Sequence, residues 1–347
     1  MTRLTGVLAS FVLSAAGAVS AQPVGDLERK AFTFERIQDD VYHAIGTGST
    51  VVGANSVVVI NEADVLLVDS HTSPVAARLL LEELRAITSR PVRTVVNTHF
   101  HFDHLHGNQI YPADVEIIAH EFTREAVASG ASTRGRAYDG FVRTVPDQIA
   151  ALEKKLAASE DEAERKQLSQ QLEITREFRR ATEAVRPMPP TATLARRMTL
   201  YRGEREIRLL FFGRGHTGGD VVVYLPQERI LATGDLLTAG LPYMGDGFIP
   251  EWVETLEHLK ALEFDVALSG HGKAIRDTAK VDHLQAFFRD LWTKATAKHA
   301  DGVPAEEAAK TIDMRNHAEH YPTITKVGVH RHAVDRIYEL LDDSYTR

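Results

Sequence analysis

The chain contains no cysteine. Disulfides, thiolate nucleophiles and Cys-ligated metal sites are therefore excluded. It also lacks an excess of positive charge: 40 Lys and Arg against 48 Asp and Glu leave a net charge of −8. Nothing in that balance favours nucleic acid as a partner. Beyond the N-terminal segment there is no apolar run long enough to cross a membrane. What is present is ordinary for a globular protein, with 44% hydrophobic and 25% charged residues in 347. That length is ample for a large core without covalent staples.

The N-terminus reads as a processing segment. Arg3 supplies a positive start, Leu4 to Val19 is apolar or small, and Val19-Ser20-Ala21 offers small residues before a cut ahead of Gln22. This is the pattern of a secretory signal peptide over residues 1–21. A periplasmic or secreted protein is expected, with no membrane association after cleavage and an uncleaved anchor as the alternative. Export would permit disulfides, yet none is used.

Short strands are expected at Val41–Ile45, Asn55–Ile60 and Val65–Val68, with Glu62-Ala63-Asp64 turning between the last two. Pro74 to Ile87 reads as a helix, with Pro74 in its first turn and apolar residues at Ala77, Leu80, Leu81 and Leu84. Further strands fall at Thr94–Val96 and Val115–Ala119, and Glu121 to Ala128 reads as helix. The second half has a similar make-up, with strands at Glu206–Phe212, Val221–Leu225, Ile230–Ala232 and Val266–Leu268, and a helix at Trp252–Leu262. Between the halves, residues 138–190 form an insertion rich in helix formers. Ser159-Glu160-Asp161 breaks it into a helical hairpin, and Pro187, Pro189 and Pro190 stop it. It reads as a solvated decoration, with a lid or dimer contact as the functional alternative. Residues 280–347 read as a helical C-terminal extension. Periodicity alone reaches a mixed α/β layered fold for residues 22–347.

The chemistry is concentrated in Asn97-Thr98-His99-Phe100-His101-Phe102-Asp103-His104. Imidazole and carboxylate are ordinary ligands of zinc. In an extended stretch His99 and His101 lie on one side, and Asp103 and His104 follow where they can grip a second ion. Three more apolar strands end in groups of the same kind: His216 after Glu206–Phe212, Asp235 after Ile230–Ala232, and His271 after Val266–Leu268. Strand carboxyl ends are where open α/β sheets place their sites. Of the sixteen histidines, His43, His258, His283, His299, His317, His320, His330 and His332 read as surface or core residues. His71, His106 and His120 lie nearer the motifs, and His106 reads as ordering the loop.

The order His-x-His-x-Asp-His, His, Asp, His, each at a strand end, resembles the metallo-β-lactamase superfamily from about Val41 to Ala274. The resemblance implies a four-layer αββα sandwich. It implies His99, His101 and His216 on one metal, Asp103, His104 and His271 on a second, and Asp235 bridging both. It suggests Asp69 as a partner that orients the first ligand loop, against a helix-capping or turn role. Many zinc β-lactamases of the superfamily carry Cys where Asp235 stands. The Asp form is more similar to glyoxalase II and lactonases, which points away from antibiotic hydrolysis as the natural role.

The implied cofactor is two Zn²⁺ per chain, with Fe or Mn compatible with the same groups. The implied reaction is attack of metal-bound hydroxide on the carbonyl of a small ester, thioester, lactone or lactam. Asp103 would orient the nucleophile or carry a proton, and Tyr243, less strongly Asn108, would donate to the oxyanion. Rival readings are a β-lactamase proper, an iron persulfide dioxygenase using His99, His216 and Asp235, and a non-catalytic periplasmic metal-binding protein. A flavodiiron-like redox role would want Glu at the position of His101, and a nuclease would bring an RNA-binding domain that is not visible.

Overall fold

The structure, a computed structural model, describes residues 30–344. The signal segment read over residues 1–21 lies outside them. The strands are β1 (Phe32–Gln38), β2 (Val41–Gly46), β3 (Ser56–Ile60), β4 (Val65–Val68), β5 (Val92–Val96), β6 (Glu116–His120), β7 (Ala192–Leu194), β8 (Arg197–Arg202), β9 (Arg205–Leu210), β10 (Val222–Leu225), β11 (Ile230–Gly234) and β12 (Val266–Ser269). The helices are α1 (Pro74–Leu84), α2 (Phe102–Leu105), α3 (Glu121–Ala128), α4 (Arg136–Phe141), α5 (Val145–Ala158), α6 (Glu162–Glu183), α7 (Ile249–Lys260), α8 (Lys280–Ala300), α9 (Ala305–Thr311) and α10 (Arg331–Leu341).

The strands form a seven-stranded sheet in the order β1 to β7 and a five-stranded sheet in the order β12, β11, β10, β9, β8. Side-chain alternation along each strand sorts the core into layers. Val57, Val59, Leu66, Val68, Val96 and Ile118 meet Ile207, Leu209, Val223, Ile230, Ala232 and Leu268 between the sheets. Their neighbours in sequence face outwards. Val58, Ile60, Leu67, Val95 and Ile117 pack beneath Leu80 and Leu84 of α1. Val222, Tyr224, Leu231 and Ala267 pack beneath Trp252 and Leu256 of α7 and Phe287, Phe288 and Leu291 of α8. Helix, sheet, sheet, helix is the four-layer sandwich expected. Each fully buried Leu, Ile or Val side chain contributes roughly 1.5–3 kcal/mol, so the two-sided burial of these strands supplies most of the folding drive.

β4 to β7 run parallel, as do β11 and β12. The carboxyl ends of β4 and β5 therefore lie side by side, as do those of β11 and β12. The two sheets are tied there: the Val221 amide donates to the Thr98 carbonyl at 2.8 Å, and the Asn55 amide to the Gly270 carbonyl at 2.7 Å. Gly234 adopts φ 51°, and a Cβ on it would meet the Thr98 hydroxyl oxygen at 2.4 Å. Only glycine allows this left-handed bend and this approach of the two halves.

Most interior elements fall where expected, and the differences have physical reasons. α1 begins at Pro74 as read, with the Ser73 hydroxyl accepting from the Ala76 amide, and ends before Ile87 at Leu84. α7 begins three residues early, at Ile249, because Pro250 fits its first turn. The insertion is a helical hairpin broken at the expected place: α5 ends at Ala158, and the Asp161 carboxylate accepts from the Glu164 amide to start α6. Among its described residues the extension is helical in α8, α9 and α10 and in a 3-10 turn at Arg315–His317. Strands β1, β7 and β8 were not expected: β7 is three residues long, and β1 and β8 are sheet edges whose outward positions are charged or polar. The extended stretch read for His99 and His101 is instead a bend at His99 and Phe100, and Phe102–Leu105 is a helical turn started by His101 at φ −64°, ψ 146°. Asp103 and His104 project from that turn.

Candidate metal centre

Seven side chains converge at the common end of the two sheets. His99 Nε2, His101 Nδ1 and His216 Nε2 form one group: His101 Nδ1 lies 3.1 Å from His99 Nε2 and 2.9 Å from His216 Nε2. Asp103, His104 and His271 form another, with Asp103 Oδ2 3.2 Å from His271 Nε2 and 3.6 Å from His104 Nε2. Asp235 lies between them. Its Oδ1 is 3.6 Å from His104 Nε2, and its Oδ2 is 3.7 Å from His216 Nε2 and 3.2 Å from His271 Nε2. Nitrogen and carboxylate atoms this close need a cation or protons between them. Each of the groups His99–His101–His216, His99–His104–Asp235 and Asp103–His104–His271 can hold a metal ion.

Two further observations fit a metal. His104 Nε2 and Asp235 Oδ1 are buried and have no hydrogen-bond partner within the protein. Such atoms are costly unless another ligand satisfies them. The backbone also clears room: a Cβ on Gly270 would lie 2.4 Å from Asp235 Oδ1 and 2.6 Å from His104 Cε1. A side chain at residue 270 would fill the cluster.

The far nitrogens of four imidazoles are held by the protein, which fixes each ring and aims its other nitrogen inwards. Asp69 is the hub. Its carboxylate accepts from the Thr98 amide at 2.7 Å, the Thr98 hydroxyl at 2.8 Å and His104 Nδ1 at 2.7 Å. The Thr98 hydroxyl in turn lies 3.0 Å from His99 Nδ1. Asp69 thus links the Thr98 backbone to His104, and the cap of the following helix α1 is Ser73. His216 Nδ1 donates to the Tyr243 carbonyl at 2.9 Å, and His101 Nε2 lies 3.0 Å from Asp246 Oδ2.

Electrostatics divides the cluster. Burial and the neighbouring His101 push His216 down to about 3, and burial with His104 nearby holds His99 well below the ordinary imidazole range. These rings are neutral at neutral pH, as metal ligation requires. Burial opposes a charge on His104, but Asp103, Asp69 and Asp235 outweigh it and hold His104 well above that range. Burial opposes a charge on His271 too, and the Asp235 and Asp103 carboxylates overcome it and push this ring up to about 10. The carboxylates of the second group thus favour the charged form of His104 and His271. His271 is also the group's open side, with 43% of its side chain exposed.

Two other expectations meet a different geometry. Asn108 is wholly occupied inside the scaffold: its carbonyl accepts from Ser70 and Asn97, and its amide donates to Asn97 and Met188. It has no group left for an oxyanion. The Tyr243 ring stands 5.9 Å from the His101 ring, and its hydroxyl lies 3.4 Å from His332 Nδ1. His106 is buried against Phe102 and Tyr138, and His71 is bound to Ser56 and the Ala54 carbonyl. Both order the scaffold. Asp246 and Thr98 were missed. Asp246 is a lone carboxylate between two glycines after the Asp235 strand, too little to mark it in the sequence.

The fold is that of one family. The profile of the metallo-beta-lactamase superfamily matches residues 49–271, more than half of the chain. The chain belongs to that superfamily. Among curated relatives it is 23% identical over 291 residues to a linear primary-alkylsulfatase of a Pseudomonas strain, covering 79% of this chain and 53% of the relative. It is 24% identical over 215 residues to the alpha subunit of a Nocardioides 2,4-dinitroanisole O-demethylase, covering 60% and 50%. The chain thus spans about half the length of these relatives. A Bacillus metallo-beta-lactamase type 2 is 31% identical over 77 residues, 20% of this chain and 30% of that one. Among solved structures, a metallo-beta-lactamase from Pontibacter korlensis aligns with TM-score 0.53 at 20% identity, over 74% of this chain and 99% of that one. The DIM-1 metallo-beta-lactamase aligns with TM-score 0.52 at 19% identity, over 74% and 97%. Members of the superfamily are generally metal-dependent hydrolases. No helix among the described residues is long and apolar enough to cross a membrane.

Proposed function

We propose that the protein is a dinuclear zinc hydrolase acting on an ester-type bond of a small molecule. The observation that carries this reading is the position of Asp235, within 3.7 Å of imidazoles from both groups. One ion would be held by His99, His101 and His216, the other by Asp103, His104 and His271, with Asp235 shared. Zinc supplies a Lewis acid and lowers the pKa of water from 15.7 to about 7.

The chain's own residues do the rest. Asp69, Thr98, Asp246 and the Tyr243 carbonyl lock the imidazoles of His104, His99, His101 and His216, so these rings need not reorient during turnover. Asp103 is part-exposed at the mouth, with 15% of its side chain accessible. Asp103 would orient the attacking water or carry its proton to the leaving group. Tyr243, at the rim on the His101 side, is the chain's candidate donor to a developing oxyanion once its hydroxyl swings from His332.

A second reading is favoured by one observation. The alkylsulfatase match covers 79% of this chain, whereas the β-lactamase type 2 match covers 20%. A primary sulfate ester is therefore a substrate class to set beside carbonyl esters, lactones, thioesters and lactams. The test is a screen of zinc-loaded protein against a lactone panel, a glutathione thioester, a nitrocefin-type lactam and a primary alkyl sulfate, with His101→Ala alongside. Hydrolysis of one class is expected, lost in the variant. Equal rates in both proteins on every substrate cleaved would overturn the reading.

A further inference from the structure

The loop Tyr243–Phe248 touches the centre twice, through the Tyr243 carbonyl on His216 and Asp246 on His101. Apart from those contacts it is a glycine-rich connection between β11 and α7. It is held from two sides, by α4, which leads into the insertion, and by α10 in the extension. From α4, Arg136 Nη1 donates to the Gly245 carbonyl at 3.0 Å. From α10, Arg336 Nε donates to the Gly247 carbonyl at 2.9 Å, and its guanidinium lies over the Phe248 ring at 4.6 Å. A single carboxylate joins the two arginines. Glu339 accepts from Arg136 through both oxygens, one of them at 3.2 Å, and its Oε2 lies 3.6 Å from Arg336 Nη1. The Tyr243 hydroxyl beside His332 adds a contact from the same helix.

We infer that Arg136, Arg336 and Glu339 form a clamp that positions the His101–His216 half of the centre through the Tyr243–Phe248 loop. They are positioning residues: none is within the cluster itself. Each arginine holds a backbone carbonyl on one side of Asp246, so the loop's height over His101 is fixed from both flanks. Two guanidinium groups gathered on one carboxylate repel each other unless it is charged; Glu339, only part-exposed, bonds Arg136 and lies against Arg336, while Asp246 acts on both arginines from farther away. Without the charge on Glu339 the arginines separate, the loop carbonyls are released and Asp246 drifts from His101. The α4 turn that leads into the insertion and the α10 helix of the extension then have a shared task at the site.

This inference rests on the proposed metal sites, and the test separates the two. Zinc affinity would be measured on the mature chain by competition with a chromophoric chelator, and Co²⁺ absorption spectra recorded in parallel. Glu339→Gln and Arg136→Gln are each expected to weaken one of two bound equivalents by about tenfold or more, within the range for orienting partners of metal ligands, and to alter the Co²⁺ bands. Arg176→Gln, which breaks only exposed hairpin ion pairs with Glu153 and Glu173, is expected to change neither. Two equivalents with wild-type affinity and spectrum in the folded clamp variants would overturn the clamp. Should either Gln variant fail to fold, Arg136→Lys decides: it keeps the charge but not the fork, and a threefold or greater loss supports the clamp while no loss overturns it. Failure of the wild-type chain to bind zinc would instead sink the metal reading itself.

Discussion

At the scale of single residues, the centre is built from groups whose roles follow from their partners. Asp69 accepts three hydrogen bonds and through them holds His104 directly and His99 by way of Thr98. Asp69→Asn keeps the volume but puts an amide N–H against a donor. Metal affinity should fall about 10–100-fold, read by chelator competition on a variant whose circular dichroism is unchanged. His271 carries a second prediction. Its pKa of about 10 lies above the ordinary 6.5, so the metal-free protein keeps this ring protonated at pH 7. The sign follows: its stabilising contribution is full below 6.5 and is lost as pH rises through about 10. Ligation needs the neutral ring, so zinc binding at pH 7 should release at least one proton. Calorimetric titration in two buffers of different ionisation enthalpy measures this, and identical heats would contradict it. The seven converging groups were legible because so many ligand-type side chains at strand ends are rarely accidental. Asp246 was not, since its partner His101 is 145 positions away and one carboxylate between glycines carries no pattern.

At the scale of elements, the α2 turn shows how the insertion is attached. Phe102 sits in the motif between His101 and Asp103, yet its ring is buried against Tyr138 and Phe141 of α4 at 5.7 and 5.6 Å. Val142, Val145, Ile149, Leu172 and Phe178 complete that cluster. The insertion is therefore anchored on the metal loop and is more than a solvated decoration. Phe102→Ala should cost roughly 3–5 kcal/mol and speed amide exchange in α5 and α6 more than in β3 and β4. Equal exchange across these elements would show that the anchor is not where the cluster places it. The sequence announced both helices through their composition, and the break between them through Asp161. It could not announce the anchor, because Phe102 alone does not say which surface will cover it. The same limit hid β1 and β8. An edge strand buries one face at most, and Arg197, Thr199 and Tyr201 alternate with residues only half covered.

At the scale of the whole molecule, two sheets with the same inward alternation close on one another and bring four strand ends to one place. That closure needs Gly234, whose φ of 51° lets Thr98 approach from the other half. Gly234→Ala should lower the melting temperature and the zinc affinity together, because it separates the His99 loop from Asp235. A drop in stability with unchanged affinity would mean that the halves can meet without this contact. The layered class was legible from strand and helix periods. The pairing of the sheets followed from the superfamily resemblance, because no local pattern states which apolar face meets which. The central claim is that residues from both sheets share a pair of metal ions through Asp235. Anomalous diffraction at the zinc edge from crystals of the zinc-loaded protein tests it most directly. Two peaks are predicted, one among His99 Nε2, His101 Nδ1 and His216 Nε2, the other among Asp103, His104 and His271, with an Asp235 oxygen against each. No peak in this cluster, or a lone peak that Asp235 does not touch, would contradict the account.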